Sequence, residues 1–275
     1  MLTCQIVDGT LTKKSVGTNP TKVSLARNGL KQIDLIPLHS CYGLTWLDLS
    51  HNQLNEVNLG HLGKHCSIER LSLSYNPLRQ VNLEPIQDWK HLKALRLTGC
   101  ELTEIDLSSL KEMASLEQLS IAYNNLKEVD LSPLASCQNL EILSINRNEL
   151  QDIDLSPLSE CSSLKTLNVG DNPLETIDLS PLAECESLYS FVLNKTPLET
   201  IDLESLRNLR NLNGLDLSGN QLKRVDLRPL TNCDDMYEVN LENNPLETVV
   251  VTPGSSCSTL RMNTDYDVVF IEMDD

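Results

Sequence analysis

The residues best equipped for chemistry cluster in the first third of the chain. His61-Leu62-Gly63-Lys64-His65-Cys66 follows Cys41 at about one repeat's distance. Histidines four apart share one face of a helix, and imidazole with thiolate is a zinc-binding set. His65, however, falls at the position where other stretches carry Cys41, Cys137, Cys161, Cys185, Cys233 and Cys257. It therefore reads as a core residue, with Cys66 the usual cysteine shifted by one. The packing reading is preferred: no metal and no cofactor are expected. His61, His65 and Cys66 are the candidate ligands should one bind.

A second set is Asp34, Asp106, Asp130, Asp154, Asp178, Asp202 and Asp226, all in one register. Carboxylates stacked about 5 Å apart repel unless hydrogen-bonded or countered by a cation. The expected role is local, each carboxylate accepting backbone N–H groups in its own turn. A divalent cation along the column is the other reading. Nucleophilic catalysis has little to work with. The histidines are His39, His51, His61, His65 and His91, with no Gly-x-Ser-x-Gly elbow and no phosphate-cradling glycine loop. No enzyme activity is expected.

What positions these side chains is a period of 24 residues. Asn28, Asn52, Asn76, Cys100, Asn124, Asn148, Asn172, Thr196, Asn220 and Asn244 keep it unbroken through ten units. Apolar residues stand five and three positions earlier, as in Leu47 and Leu49 or Leu167 and Val169, and a leucine follows two later. The Leu-x-Leu step has period two, so its leucines point inward from a short strand. Successive strands then stack in parallel about 4.8 Å apart. The Asn amides are expected to form a buried ladder serving turn backbone groups. Cys100 and Thr196 interrupt it, and softness is expected there. On the other side of each unit, copies such as Ile153-Asp-Leu-Ser-Pro-Leu158 predict short helical turns started by Ser-Pro. The repeated single cysteine is expected beneath them as a buried free thiol.

With its Leu-x-x-Leu-x-Leu-x-x-Asn signature, read for example over Leu164-Lys-Thr-Leu-Asn-Val-Gly-Asp-Asn172, the chain resembles the leucine-rich-repeat superfamily across residues 20–262. The outer Ile-Asp-Leu-Ser-Pro-Leu segment looks like intracellular-type arrays of archaea and single-celled eukaryotes. The resemblance implies an α/β solenoid, a curved horseshoe with a parallel concave sheet and short α or 3-10 turns on the convex side. It also implies a protein as ligand. Residues 1–19 are expected to cap the start, with Asp8-Gly9 as a hairpin turn, and residues 263–275 to cap the end with a strand at Val268–Ile271 and an acidic tail.

Charge divides the chain. The formal net charge is -17, yet residues 1–137 carry 13 Lys/Arg against 14 Asp/Glu, and residues 138–275 carry 9 against 25. Such acidity excludes general nucleic-acid binding and adhesion to an acidic membrane. Residues 1–20 contain no apolar run of signal-peptide length, and no stretch approaches the ~18 apolar residues of a membrane span. A cytoplasmic monomer is therefore expected.

The concave surface is read from the positions six, four, two and one before each Asn. Trp46, His51, Arg70, Tyr75, Arg96, Tyr123 and Arg147 fall there together. Trp, Tyr and Arg are the usual interface anchors. Gly99 is expected to leave a shallow recess between Tyr75 and Tyr123. The expected function is a protein-binding recognition or scaffold module, with an acidic or phosphorylated segment as partner. Regulatory inhibition of a partner enzyme is the alternative. The acidic half is expected chiefly to keep the protein soluble, with a basic segment as its other possible ligand.

Overall fold

The first apolar residue of each Leu-x-Leu step is the buried middle residue of a three-residue strand, as Leu47 is in Trp46–Asp48 and Leu167 in Thr166–Asn168. The computed structural model describes residues 2–6, 11–15, 17, 19–63, 67–252, 259–263 and 269–272. It comprises two compact units, Met1–Leu140 and Glu141–Asp275. In the first, strands Lys22–Ser24, Trp46–Asp48, Arg70–Ser72, Ala94–Arg96 and Gln118–Ser120 pair in parallel, each residue opposite the one 24 later. In the second, Ile142–Ser144, Thr166–Asn168, Ser190–Val192, Gly214–Asp216 and Glu238–Asn240 do the same. A final strand, Thr259–Arg261, pairs at an offset of 21. Flanking strands complete each unit. Leu2–Ile6 pairs antiparallel with both Leu11–Lys14 and Leu30–Ile33. Val269–Glu272 runs parallel to Thr248–Val251, which pairs with Arg224–Asp226. Asp8-Gly9 and Val268 lie outside the described residues.

The Asn column holds the coils together. Asn76 Nδ2 donates to Leu73 O in its own coil at 2.8 Å and to Leu49 O in the preceding coil at 3.0 Å, while Leu54 N–H donates back to its Oδ1 at 3.0 Å. Asn52, Asn124, Asn172, Asn220 and Asn244 repeat the pattern. A leucine-filled interior would otherwise strand these carbonyls without partners, at about 1–3 kcal/mol each.

Cys100 substitutes better than expected. Its Sγ lies 3.4 Å from Leu73 O, the carbonyl an asparagine there would reach. What it lacks is the acceptor oxygen. Leu78 N–H, deprived of that oxygen, turns onto Asn76 O at 2.7 Å, a tight three-residue turn. Leu174 N–H does the same onto Asn172 O at 2.8 Å, in the coil preceding Thr196. Thr196 keeps its contact to the following coil, its hydroxyl and N–H both donating to Asn220 Oδ1.

The opposite side of each coil is a 3-10 turn, as at Ser132–Ser136, Ser156–Glu160 and Ser180–Glu184. The serine is not the cap. The residue before it caps without a side-chain bond, and the aspartate two positions before the serine takes the serine N–H instead: Asp130, Asp154 and Asp178 each accept it at 2.8 Å. Asp34, Asp106, Asp202 and Asp226 accept the corresponding N–H, and Asn58 and Asn82 occupy the same role. The column is thus a set of local turn acceptors. Beneath it Cys41, Cys137, Cys161, Cys185 and Cys233 are buried free thiols, and Trp89, Met113 and Leu209 fill the same slot in other coils. Burial pushes the thiols of Cys100 and Cys185 up to about 12 and those of Cys161 and Cys233 up to about 11. They are packing groups, not nucleophiles. Cys257 lies outside the described residues.

Candidate partner-binding surfaces

The column just before the Asn position leaves the strand in the left-handed conformation. Arg27, His51, Tyr75 and Tyr123 in the first unit, and Arg147, Asp171, Lys195 and Asn243 in the second, all have φ between 52° and 59°. This costs an L-residue about 1–2 kcal/mol. The twist aims each N–H at the next coil, as in His51 to Ser74 O at 2.8 Å and Tyr75 to Thr98 O at 2.7 Å. It also turns the side chain out of the sheet. Tyr75 and Tyr123 are both 44% exposed.

In the first unit the floor between these side chains is small and covered: Ser72, Ser74, Ala94, Ser120 and Ala122 are all buried. Trp46, Arg70 and Arg96 stand up from one side and His51, Tyr75 and Tyr123 from the other. His51 and Tyr75 stack with ring centroids 4.4 Å apart. Lys22 Nζ lies 6.0 Å from the Trp46 ring. Arg96 donates to neutral Gln118 Oε1 at 2.8 Å, and no carboxylate pairs with it among the described residues. Along the sheet edge, Lys93 sits between Glu69 and Glu117 at 3.8 and 3.9 Å. The acidic group on this face is Asp48, whose carboxylate accepts Ser50 N–H at 3.0 Å. Six of the seven sequence candidates are therefore brought together on the first unit.

Arg147 belongs to the second unit, where its Nε lies 2.7 Å from Asp171. The two residues are one repeat apart in the same column, so this pairing was visible in the sequence. The expected recess beside Gly99 is absent. The Tyr75 ring lies against that glycine, so close that a Cβ there would meet Tyr75 Cδ1 at 2.8 Å. An open recess of about 240 Å³ lies instead on the second unit, over Gly214, between the strands of Ser190, Gly214 and Glu238. A Cβ at Gly214 would meet nothing within 4 Å. The signal available in the sequence was a glycine at the first position of a strand, where neither a turn nor a positive φ calls for one.

His61 shows no metal geometry. Asn58 Nδ2 lies 3.0 Å from His61 Nε2. An amide nitrogen can only donate, so Nε2 accepts and the neutral ring carries its proton on Nδ1. That atom is buried without a hydrogen-bond partner, 3.8 Å from Asp34 Oδ1. No group of three His, Cys, Asp or Glu that could hold a metal ion is present among the described residues. His65 and Cys66 lie outside them.

Three family models match: Leucine rich repeat over residues 19–78, Leucine Rich repeats (2 copies) over 138–184, and BspA type Leucine rich repeat region (6 copies) over 171–257. The fold is that of a leucine-rich-repeat solenoid. Among solved structures it is similar to internalin C2 from Listeria monocytogenes, at 25% identity over 84% of this chain and 80% of that one, with a TM-score of 0.52. The functional domain of InlJ from Listeria monocytogenes, which includes a cysteine ladder, matches at 17% identity over 92% of this chain and 64% of that one, TM-score 0.50. A leucine-rich-repeat protein of Leptospira interrogans matches at 19% identity over 83% of this chain and 64% of that one, TM-score 0.62. The chain spans under two thirds of the latter two. No curated protein matches.

These likenesses overturn the cytoplasmic expectation, because internalins are secreted or cell-wall-anchored bacterial proteins. All three structures are bacterial, and they do not carry the narrower resemblance to archaeal or eukaryotic intracellular repeats. No helix among the described residues is long and apolar enough to cross a membrane.

Proposed function

We propose that this leucine-rich-repeat chain is a protein-recognition module without catalytic activity of its own, and that its first unit binds an acidic or phosphorylated segment of a partner. One observation carries the reading. Trp46, Arg70, Arg96, Tyr75 and Tyr123 rise around a floor of small buried residues, and Lys22, Arg27, Arg70 and Arg96 outnumber Asp48 on that face. Large rigid aromatics beside cations with unneutralised charge are what an anionic peptide needs for contact area and charge. In this reading residues 1–19 and 263–275 are caps and residues 20–262 are the recognition array.

Fluorescence anisotropy with a labelled Glu-rich peptide and its phosphotyrosine-containing counterpart tests it. The native chain should bind at least one of them, more weakly as salt rises. A Trp46→Ala/Arg70→Ala/Tyr75→Ala variant should lose about tenfold or more in affinity, since truncating interface anchors of this kind costs over 1 kcal/mol each. Equal binding by the variant would remove the surface from consideration.

A further inference from the structure

The recess over Gly214 has features the rest of the second unit does not share. Its floor is the parallel strands Ser190–Val192, Gly214–Asp216 and Glu238–Asn240, with Ser190, Gly214 and Glu238 side by side in one register. Neighbouring coils fill this column with a side chain, and Gly214 leaves it empty. Its backbone is ordinary strand, so no conformational demand explains the glycine. The lining includes Asp216, Glu238, Asn213, Asn240 and Tyr237.

The carboxylates are held in place. Asp216 Oδ1 accepts Ser218 N–H at 3.0 Å and its Oδ2 accepts Asn194 Nδ2 at 3.1 Å. These bonds fix the group without neutralising it, and an ionised carboxylate has acceptor capacity left. Glu238 already receives one guanidinium, the Nε of Arg261 at 3.0 Å. Tyr237 is 57% exposed and offers a ring to the stem or head of a cation. Its backbone N–H is tied to Asn213 O at 2.8 Å, which anchors it at the rim.

We propose that this recess is a binding site for a single arginine or lysine side chain of a protein partner. The head group meets Asp216 and Glu238 and the aliphatic stem lies over Gly214 beside Tyr237. Charge complementarity favours this occupant over an apolar or acidic one: the unit carries 25 acidic against 9 basic residues, and among the described residues no cation pairs with Asp216. The site is independent of the first-unit surface, and the probe below reports on the recess alone.

The test uses the full chain, isotopically labelled, and capped Gly-Arg-Gly, Gly-Lys-Gly and Gly-citrulline-Gly peptides. The amide signals of Gly214, Asp216 and Glu238 are followed by NMR. The arginine or lysine peptide should shift these signals saturably, in the millimolar range, and the citrulline peptide should not. Gly214→Val, which fills the recess and keeps every charge, should abolish the saturable shift. Asp216→Asn should weaken it about fivefold, the factor that ~1 kcal/mol of lost ion pairing gives. Three results would overturn the proposal: no shift at Gly214 with either cationic peptide, shifts spread evenly over the acidic surface, or a Gly214→Val response equal to that of the native chain with its fold intact by the same spectra.

Discussion

The two units share a scaffold and differ in what they hang on it. Both stack parallel strands at a 24-residue offset, both carry the buried Asn column, and both place the residue before it at positive φ. That exposed column reads Arg27, His51, Tyr75, Gly99, Tyr123 in the first unit and Arg147, Asp171, Lys195, Gly219, Asn243 in the second. In the second unit Arg147 pairs with Asp171 and Arg261 with Glu238, while the edge lysine pairs with glutamate in both units, Lys93 with Glu69 and Lys165 with Glu141. In the first, Arg96 donates to a neutral amide and stands among aromatics. The glycines diverge too, Gly99 lying under a tyrosine ring and Gly214 opening a recess. One backbone thus presents two surfaces of opposite character. The buried columns are shared between the units, while the exposed ones differ.

If the scaffold is common, damage to the ladder should cost the same in either unit. Asn124→Ala and Asn220→Ala each leave two buried carbonyls and their N–H donors unpaired. Each should lose about 3 kcal/mol in urea unfolding. Losses differing by more than ~1 kcal/mol would mean that the units are not built alike.

A smaller effect is expected where the ladder is already incomplete. Cys100→Asn and Thr196→Asn supply the acceptor that Leu78 and Leu174 N–H lack. Each should gain about 1 kcal/mol by the same measurement. A gain in one unit only would show that local packing, and not the missing acceptor, decides these sites.

The smallest effect is the response to acid. Hydrogen bonds hold the carboxyls of Asp106, Asp154, Glu204 and Asp226 below their usual range, through the backbone N–H of Ser108 first for Asp106 and through the side chains of Ser156, Arg207 and Arg228 for the others. A carboxyl whose folded pKa is depressed stabilises the fold above its unfolded pKa, about 4, and that stability is lost as pH falls through the folded pKa. Three of the four lie in the second unit. Hydrogen-exchange protection of its convex turns should therefore fall below about pH 4 before that of the first unit does. Protection that rises instead would show that relief of its acidic repulsion wins.

Much of this was legible in the sequence because the period forces it. A residue's fate is shared by those 24 positions away, so strands, the Asn ladder and the capping role of the Asp column follow from register alone. The failures came where one side chain's direction mattered. No spacing says that Tyr75 lies over Gly99, nor that Cys100 Sγ reaches the carbonyl an amide would. Ser-Pro drew attention to the serine as cap, when the aspartate two residues earlier has the reach to take the first free N–H. The Arg147–Asp171 pair, by contrast, joins two residues one repeat apart in a single column, so register alone brings them side by side.

The central claim is that the two concave faces prefer partners of opposite charge. One NMR titration of the labelled full chain tests it directly, adding the Glu-rich peptide and the capped Gly-Arg-Gly peptide in turn. The account predicts that the acidic peptide shifts amides around Trp46, Arg70 and Tyr75 and that the cationic one shifts those around Gly214, Asp216 and Glu238. Both peptides moving the same set, or neither moving either, would contradict it.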